Sequence, residues 1–225
     1  MKFRIKLSPN QEKVPFNYAR QLCGVFHKWL GPNDLHDIMS LYSLSWLRGG
    51  KAQKGGLNFP SGANWEIGIF DDEIAERLIK GLLFDKEVIY GMKVRKVDRL
   101  SEPDFSEPLG RSQFKAGSPV LIRKVEDDMS RTHLTYKDDE HAQYLKKVMV
   151  HKMQEAGLGE EHQEVRLFFD PEYPKAKTKL VDIKGIKNRA SLCPVIVEGT
   201  VQARKFAWTV GAGELTGVGF GSLVA

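Results

Sequence analysis

Over residues 2–7 apolar and basic side chains alternate one for one, Phe3, Ile5 and Leu7 against Lys2, Arg4 and Lys6. Only an extended chain sends successive side chains to opposite faces, so this stretch is a strand with one apolar and one basic side. Pro9 and Asn10 end it, and beyond Pro15 the period changes. Ala19, Leu22, Cys23, Phe26, Trp29 and Leu30 share one side of a helix of about fifteen residues, which Gly31-Pro32-Asn33-Asp34 stops. Residues 41–47 read as a second strand. Arg48-Gly-Gly-Lys51-Ala-Gln-Lys54-Gly-Gly56 reads as a basic, flexible tip, and Trp65, Ile67 and Ile69 mark the return strand. Asp71 and Asp72 open a second helix bearing Ile74, Leu78, Ile79 and Leu82. Val88, Tyr90, Met92 and Val94 then alternate as a closing strand. The order β-α-β-β-α-β is that of a ferredoxin-like unit.

The second half runs in a similar order without a visible sequence repeat. Residues 101–117 are polar, hold Pro103 and Pro108, and read as a linker. Residues 119–124 read as a strand and 131–136 as an extended hairpin. Asp138 and Asp139 open a long helix that carries Leu145, Val148, Met149 and Met153 and ends at Gly157. Strands follow near 165–169, 180–183 and 192–197, with Lys175, Lys177, Lys179, Lys184, Lys187 and Arg189 concentrated between them. Residues 201–210 suit a short helix stopped by Gly211. The chain is therefore read as α+β, two ferredoxin-like (RRM-like) βαββαβ units at residues 1–100 and 118–225 joined by a linker at 101–117. The RNA-recognition motif shares this topology, so an open sheet face with basic residues points by analogy to nucleic acid.

Charge agrees in sign: the 225 residues carry a formal net charge of +5, which favours a polyanionic partner. Cys23 and Cys193 lack metal or redox spacing and sit in apolar contexts, as buried thiols of a reducing compartment do. The first residues are too short and too charged a run for a signal peptide, and no apolar run reaches membrane length. The expectation is a cytoplasmic protein.

The C-terminus carries Gly211-Ala-Gly213, five residues, then Gly219-Phe-Gly221. Glycine serves where φ is positive or where another backbone comes close. A glycine-rich loop after a helix offers N–H groups to phosphate, or is simply a tight turn that binds nothing. Walker A and dinucleotide fingerprints are both excluded, the first by the missing Gly-Lys-Ser/Thr, the second by the position after a helix.

Placed at the end of a tandem ferredoxin-like chain, this glycine spacing resembles the signature loop of the CRISPR repeat-processing endoribonucleases of the RAMP superfamily. Ser118-Pro-Val-Leu-Ile-Arg123 looks like the first strand of that family's second unit, Ile183-Lys-Gly-Ile-Lys-Asn-Arg189 like its basic hairpin, and Leu41-Tyr-Ser-Leu-Ser-Trp46 like the strand after its catalytic segment. The resemblance implies cleavage of CRISPR repeat RNA, the precursor crRNA, without metal ion or cofactor: the 2′-OH attacks the phosphorus and leaves a 2′,3′-cyclic phosphate and a 5′-OH. It places His36 as the main acid/base, and His27 as its counterpart from the end of the first helix, with the two roles interchangeable. The family's following lysine has no match, so Lys51 or Lys54, or else Tyr42 or Ser45, is left to meet the phosphate charge. Lys184, Lys187 and Arg189, with Arg204, Lys205 and the loop glycines Gly211, Gly213, Gly219 and Gly221, are the expected RNA contacts. A homodimer and association with a CRISPR effector complex are compatible partners. The alternative is a non-catalytic RNA-binding subunit of such a complex. His133, His141, His151 and His162 match no HExxH or zinc-finger spacing and are read as structural or adventitious, with His141 and His151 facing water beside the apolar stripe of the long helix.

Overall fold

The computed structural model describes residues 1–35, 38–183 and 185–225. Strand β1 (Lys2–Leu7) leads to helix α1 (Ala19–Leu30), then β2 (Tyr42–Leu44), a small hairpin β3 (Lys51–Gln53) and β4 (Gly56–Asn58), strand β5 (Ala63–Ile69), helix α2 (Asp72–Phe84) and β6 (Val94–Arg99). The first sheet runs β2-β5-β1-β6, all antiparallel, which is the ferredoxin-like order. Asp71 caps α2 by accepting from the Ile74 N–H at 3.0 Å, and Gly31, at φ 69°, ends α1.

The second unit is β7 (Leu109–Ala116), a hairpin of β8 (Ile122–Val125) and β9 (Arg131–Leu134), helix α3 (His141–Glu155), β10 (Arg166–Phe169), a long hairpin of β11 (Lys177–Ile183) and β12 (Ile186–Leu192), β13 (Val195–Thr200), helix α4 (Val201–Val210) and β14 (Leu223–Val224). Its sheet runs β10-β13-β7-β14, the same topology. Both units thus insert a hairpin between their second and third sheet strands.

Two sequence expectations are corrected here. The stretch read as a linker contains β7, the second unit's first strand, which pairs with β13 and β14. Alternate positions of β7 hold Gly110, Ser112, Phe114 and Ala116, so a single large residue marks the covered face and period-two hydrophobicity is absent. Of residues 119–124, only Ile122 to Lys124 form a strand, and it belongs instead to the inserted β8–β9 hairpin. In the first unit the closing strand lies later than expected: Tyr90, at φ 50°, and Gly91 form a turn, and β6 starts at Val94.

The units interlock. The Lys2 ammonium donates to the carbonyls of Trp208 and Leu223, Ser43 Oγ donates to Thr209 O at 2.8 Å, and Trp46 N–H donates to Gly117 O at 2.9 Å. Gly68 is fixed by this contact, because a Cβ there would lie 2.0 Å from Thr209 O. The expected basic face of β1 is consequently not free. Lys2 is buried beneath α4, Arg4 pairs with the buried Glu66 at 2.9 Å, and Lys6 pairs with Asp98 at 3.3 Å.

Candidate active site and nucleic-acid interface

The last turn of α1 carries His27, where a helix C-terminus favours a cationic ring. Its Nδ1 lies 2.9 Å from Asn33 Oδ1. Asn33 Nδ2 donates to Gly31 O at 2.7 Å, and its Oδ1 also accepts from Leu35 N–H at 3.4 Å, so the carbonyl end faces the imidazole. The Nδ1 therefore carries the proton, and in the neutral ring Nε2 holds the lone pair. Nε2 itself is buried. The ring stands edge-on to Phe26 at 5.4 Å and to Tyr42 at 6.4 Å. His27 and Asn33 thus brace the turn that leads into His36, which lies outside the described residues, as does Lys184.

Tyr42 begins β2 and stacks on Phe26 with centroids 4.8 Å apart. Burial pushes its pKa up to about 12, while a hydrogen bond with Ser40 opposes the shift, so the phenol is a neutral hydroxyl near neutral pH. Sequence reasoning singled out His27 and Tyr42 as candidates but passed over Asn33 and Ser40, the polar groups hydrogen-bonded to them. The signal for Asn33 was its place in the Gly-Pro-Asn-Asp stop; Ser40 had none.

The glycine loop comes back across this region. Thr216 Oγ1 donates to Tyr42 O at 2.8 Å and Trp46 Nε1 donates to Gly219 O at 3.0 Å. A Cβ on Gly217 would meet Ser40 Oγ at 2.6 Å and the Tyr42 hydroxyl at 2.7 Å. The loop glycines are not surface groups, which corrects the assignment of Gly211, Gly213, Gly219 and Gly221 as RNA contacts. All four are buried. Ala212 N–H donates to Gly221 O at 2.8 Å, Gly221 N–H to Pro119 O at 2.8 Å, and Gly211 N–H to Ala207 O at 2.9 Å. The glycines are there for close approach, since a Cβ on Gly221 would lie 1.9 Å from Ala212 O and one on Gly213 2.4 Å from Leu121 O.

Arg204 is likewise corrected. It is buried, its guanidinium donates to Gly199 O and Ser112 Oγ at 3.2 Å each and to Glu107 O, and it lies over the Phe105 ring. It fastens the start of β7 to α4. Lys205 pairs with Glu102 at 2.6 Å. Lys51 is exposed on the β3–β4 hairpin, which is anchored through Val14, Lys13 and Asn10, ahead of α1. Among the described residues no hydrogen bond or ion pair joins Lys51 to His27 or Tyr42.

The β11–β12 hairpin keeps its expected character. Lys187 and Arg189 are exposed, opposite Asp182 and Leu180, and Lys175, Lys177 and Lys179 are exposed nearby. Among the described residues none of these five cations has an ion-pair partner. The hairpin's other face puts Ala190, Val181 and Ile183 against Phe220, Leu215 and Val218 of the glycine loop. The loop is thus a packed bridge, with the His27–Tyr42 region on one side and the basic hairpin on the other. Among the described residues no three His, Cys, Asp or Glu side chains converge to hold a metal ion, and no helix is long and apolar enough to cross a membrane.

Two ferredoxin-like units in tandem, joined by a glycine-rich C-terminal loop, define a protein of the RAMP type. The family described as CRISPR associated protein Cas6, C-terminal, matches residues 100–224, and the chain belongs to it. Solved structures agree on the fold. The product of a Cas6-related gene from Pyrococcus furiosus aligns with TM-score 0.85 at 23% identity, covering 99% of this chain and 97% of the other. A RAMP protein binding different RNA substrates aligns with TM-score 0.85 at 19% identity, covering 99% and 98%. A CRISPR associated protein Cas6 aligns with TM-score 0.80 at 22% identity, covering 100% and 98%. A search of curated proteins found no match.

Proposed function

We propose that this protein binds CRISPR repeat RNA and cleaves the precursor transcript without a metal ion, by attack of the ribose 2′-OH on the adjacent phosphorus. A base takes the 2′-OH proton, the new P–O2′ bond forms as the P–O5′ bond breaks, and an acid protonates the leaving 5′ oxygen. The products are a 2′,3′-cyclic phosphate and a 5′-OH. His36 is assigned the principal acid/base role and His27 that of its counterpart, with Nε2 the exchanging atom. Tyr42, as a neutral phenol, serves as a hydrogen-bond donor and not as a base. The observation that carries the reading is the bracing of the segment before His36 by the His27–Asn33 pair, within a chain of the Cas6 family.

One observation favours a second reading, a non-catalytic RNA-binding subunit of a CRISPR effector complex: Nε2 of His27 is buried, so RNA reaches it only if the turn moves. Incubating the protein with repeat RNA in EDTA separates the two. Cleavage that a 2′-deoxy substitution at the cut site abolishes supports the enzyme; binding without cleavage supports the subunit. His36→Ala is expected to slow cleavage about 10²–10⁴-fold with repeat binding nearly unchanged. Unchanged turnover removes His36 from the site. Sedimentation with and without RNA tests the homodimer.

A further inference from the structure

A cavity of about 490 Å³ opens between α3, the segment at residues 38–40 and the glycine loop. It has no part in the chemistry assigned above. One wall is a single stripe of α3: Tyr144, Lys147, Val148 and His151 follow at helical spacing. The facing wall is Ser40 with Met39, and Leu215 and Thr216 close the cavity from the loop. Lys152 forms the floor, buried, with its ammonium 3.0 Å from Thr216 Oγ1. Burial holds the Lys152 pKa down to about 7, against the opposing pull of Glu214, which also lines the cavity and is paired with Arg123. Lys147 and His151 are exposed at the mouth, and among the described residues neither has an ion-pair partner.

The volume lies within the ordinary range for a small organic ligand, roughly 300–1,000 Å³. The lining combines one aromatic ring, Lys147 and His151 at the mouth, apolar patches from Met39, Val148 and Leu215, and the Glu214 carboxylate, which is engaged by Arg123. A ring, a free amine and apolar surface together suit a base and its phosphate. Its position is equally specific. Ser40, on its wall, is hydrogen-bonded to Tyr42, and Ile38 follows His36 by two residues.

We propose that this cavity is a nucleotide subsite: it takes one nucleotide of the bound RNA next to the scissile phosphate, with Lys147 and His151 on the phosphate and Tyr144 against the base. The assignment rests on the RNA reading above, and His151, read from sequence as merely solvated, becomes a substrate contact.

The test combines a variant with a cross-link. Lys147→Ala with His151→Ala alters two exposed positions and is expected to leave the thermal midpoint unchanged. It should weaken binding of an uncleavable 2′-deoxy repeat RNA on the order of tenfold and lower the salt slope by about 0.7, the value for one phosphate. In parallel, 4-thiouridine is placed one position at a time through the repeat and irradiated with the wild-type protein. Cross-links to residues 141–155 from one or two adjacent positions, lost in the double variant, support the subsite. Cross-links confined to residues 177–192, with affinity and slope unchanged in the double variant, overturn it. If the wild-type protein cross-links through α3 yet never cleaves, the nucleotide subsite stands and the endonuclease reading fails. Failure to bind repeat RNA at all overturns both.

Discussion

Single side chains decide which parts of the basic surface are available. Lys2 belongs by period to the basic face of β1, but that face is covered at its start by α4, and the amine is turned onto two backbone carbonyls. Alternation in the sequence tells two faces of a strand apart; it does not tell whether a second layer covers the polar one. Burial lowers the Lys2 pKa to about 7 from 10.5, with Glu66 opposing and Arg48 assisting. The folded value lies below the unfolded one. Between the two, the unfolded chain holds a proton the folded chain lacks, so stability rises with pH through this window and is lost as pH falls toward 7. Lys152 acts in the same direction. Urea denaturation at pH 7.5 and 9.5 should therefore show a gain in the wild type that is smaller in Lys2→Met. The substitution also leaves the Trp208 and Leu223 carbonyls without their donor, but that loss is an offset common to both pH values, so the slope carries the test. Equal slopes would show that Lys2 titrates normally.

At the scale of elements, the glycine loop and the β11–β12 hairpin exchange the roles their sequences advertise. Both are glycine-bearing, yet the loop's glycines are buried, with the Gly211, Ala212, Glu214 and Gly221 amides bonded within the protein, while the hairpin's cations are exposed. The distinction is legible in neither sequence, because a glycine needed for close approach and one needed to expose an amide look alike. Substitution separates them. Gly185 sits at the hairpin tip with φ +82° and open space around a would-be Cβ, so Gly185→Ala should cost about 1–2 kcal/mol, the strain of the left-handed backbone alone. Gly221→Ala adds a backbone clash to that strain, as the Cβ would lie 1.9 Å from Ala212 O, and should cost more or prevent folding. Urea midpoints of the two variants give the comparison; equal losses would mean that the loop relaxes around a methyl group. The hairpin makes its own prediction. Lys187→Ala or Arg189→Ala should weaken repeat binding and reduce its salt slope by ~0.7 each. Asp182→Asn, which removes the carboxylate opposite Lys187, should strengthen binding. Unchanged affinity in all three would place the RNA on another surface.

For the whole molecule, the order of elements in the first unit was readable from period changes, and the tandem ferredoxin-like plan followed from it, although the second unit's first strand was not recognised. Hidden was the boundary: β7 carries one large apolar residue in its covered alternation, so a central strand looks like a linker. Hidden too was the depth of contact between the halves, since no local pattern records that Ser43 meets Thr209 or that Phe70 packs edge-on to Phe206 at 5.0 Å. These contacts bear on stability as a unit. The C-terminal end of α4 is held by Lys2 from the first unit and by Lys152 from the second, and the glycine loop donates to Tyr42 O while accepting from Trp46. Removing either half strips buried polar groups of their partners in the other, each at a cost of about 1–3 kcal/mol. The chain should therefore unfold in one step despite its duplicated topology. Trp29, Trp46 and Trp65 lie in the first unit and Trp208 in the second, so fluorescence of a Trp208→Phe variant reports on the first unit, whereas far-UV circular dichroism samples both. The two signals are expected to share one urea midpoint, as all-or-none unfolding requires. A fluorescence transition separated from the dichroism transition would show two independently stable units, and the packed bridge between the His27 turn and the basic hairpin would then be too loose to hold the RNA in register with the site.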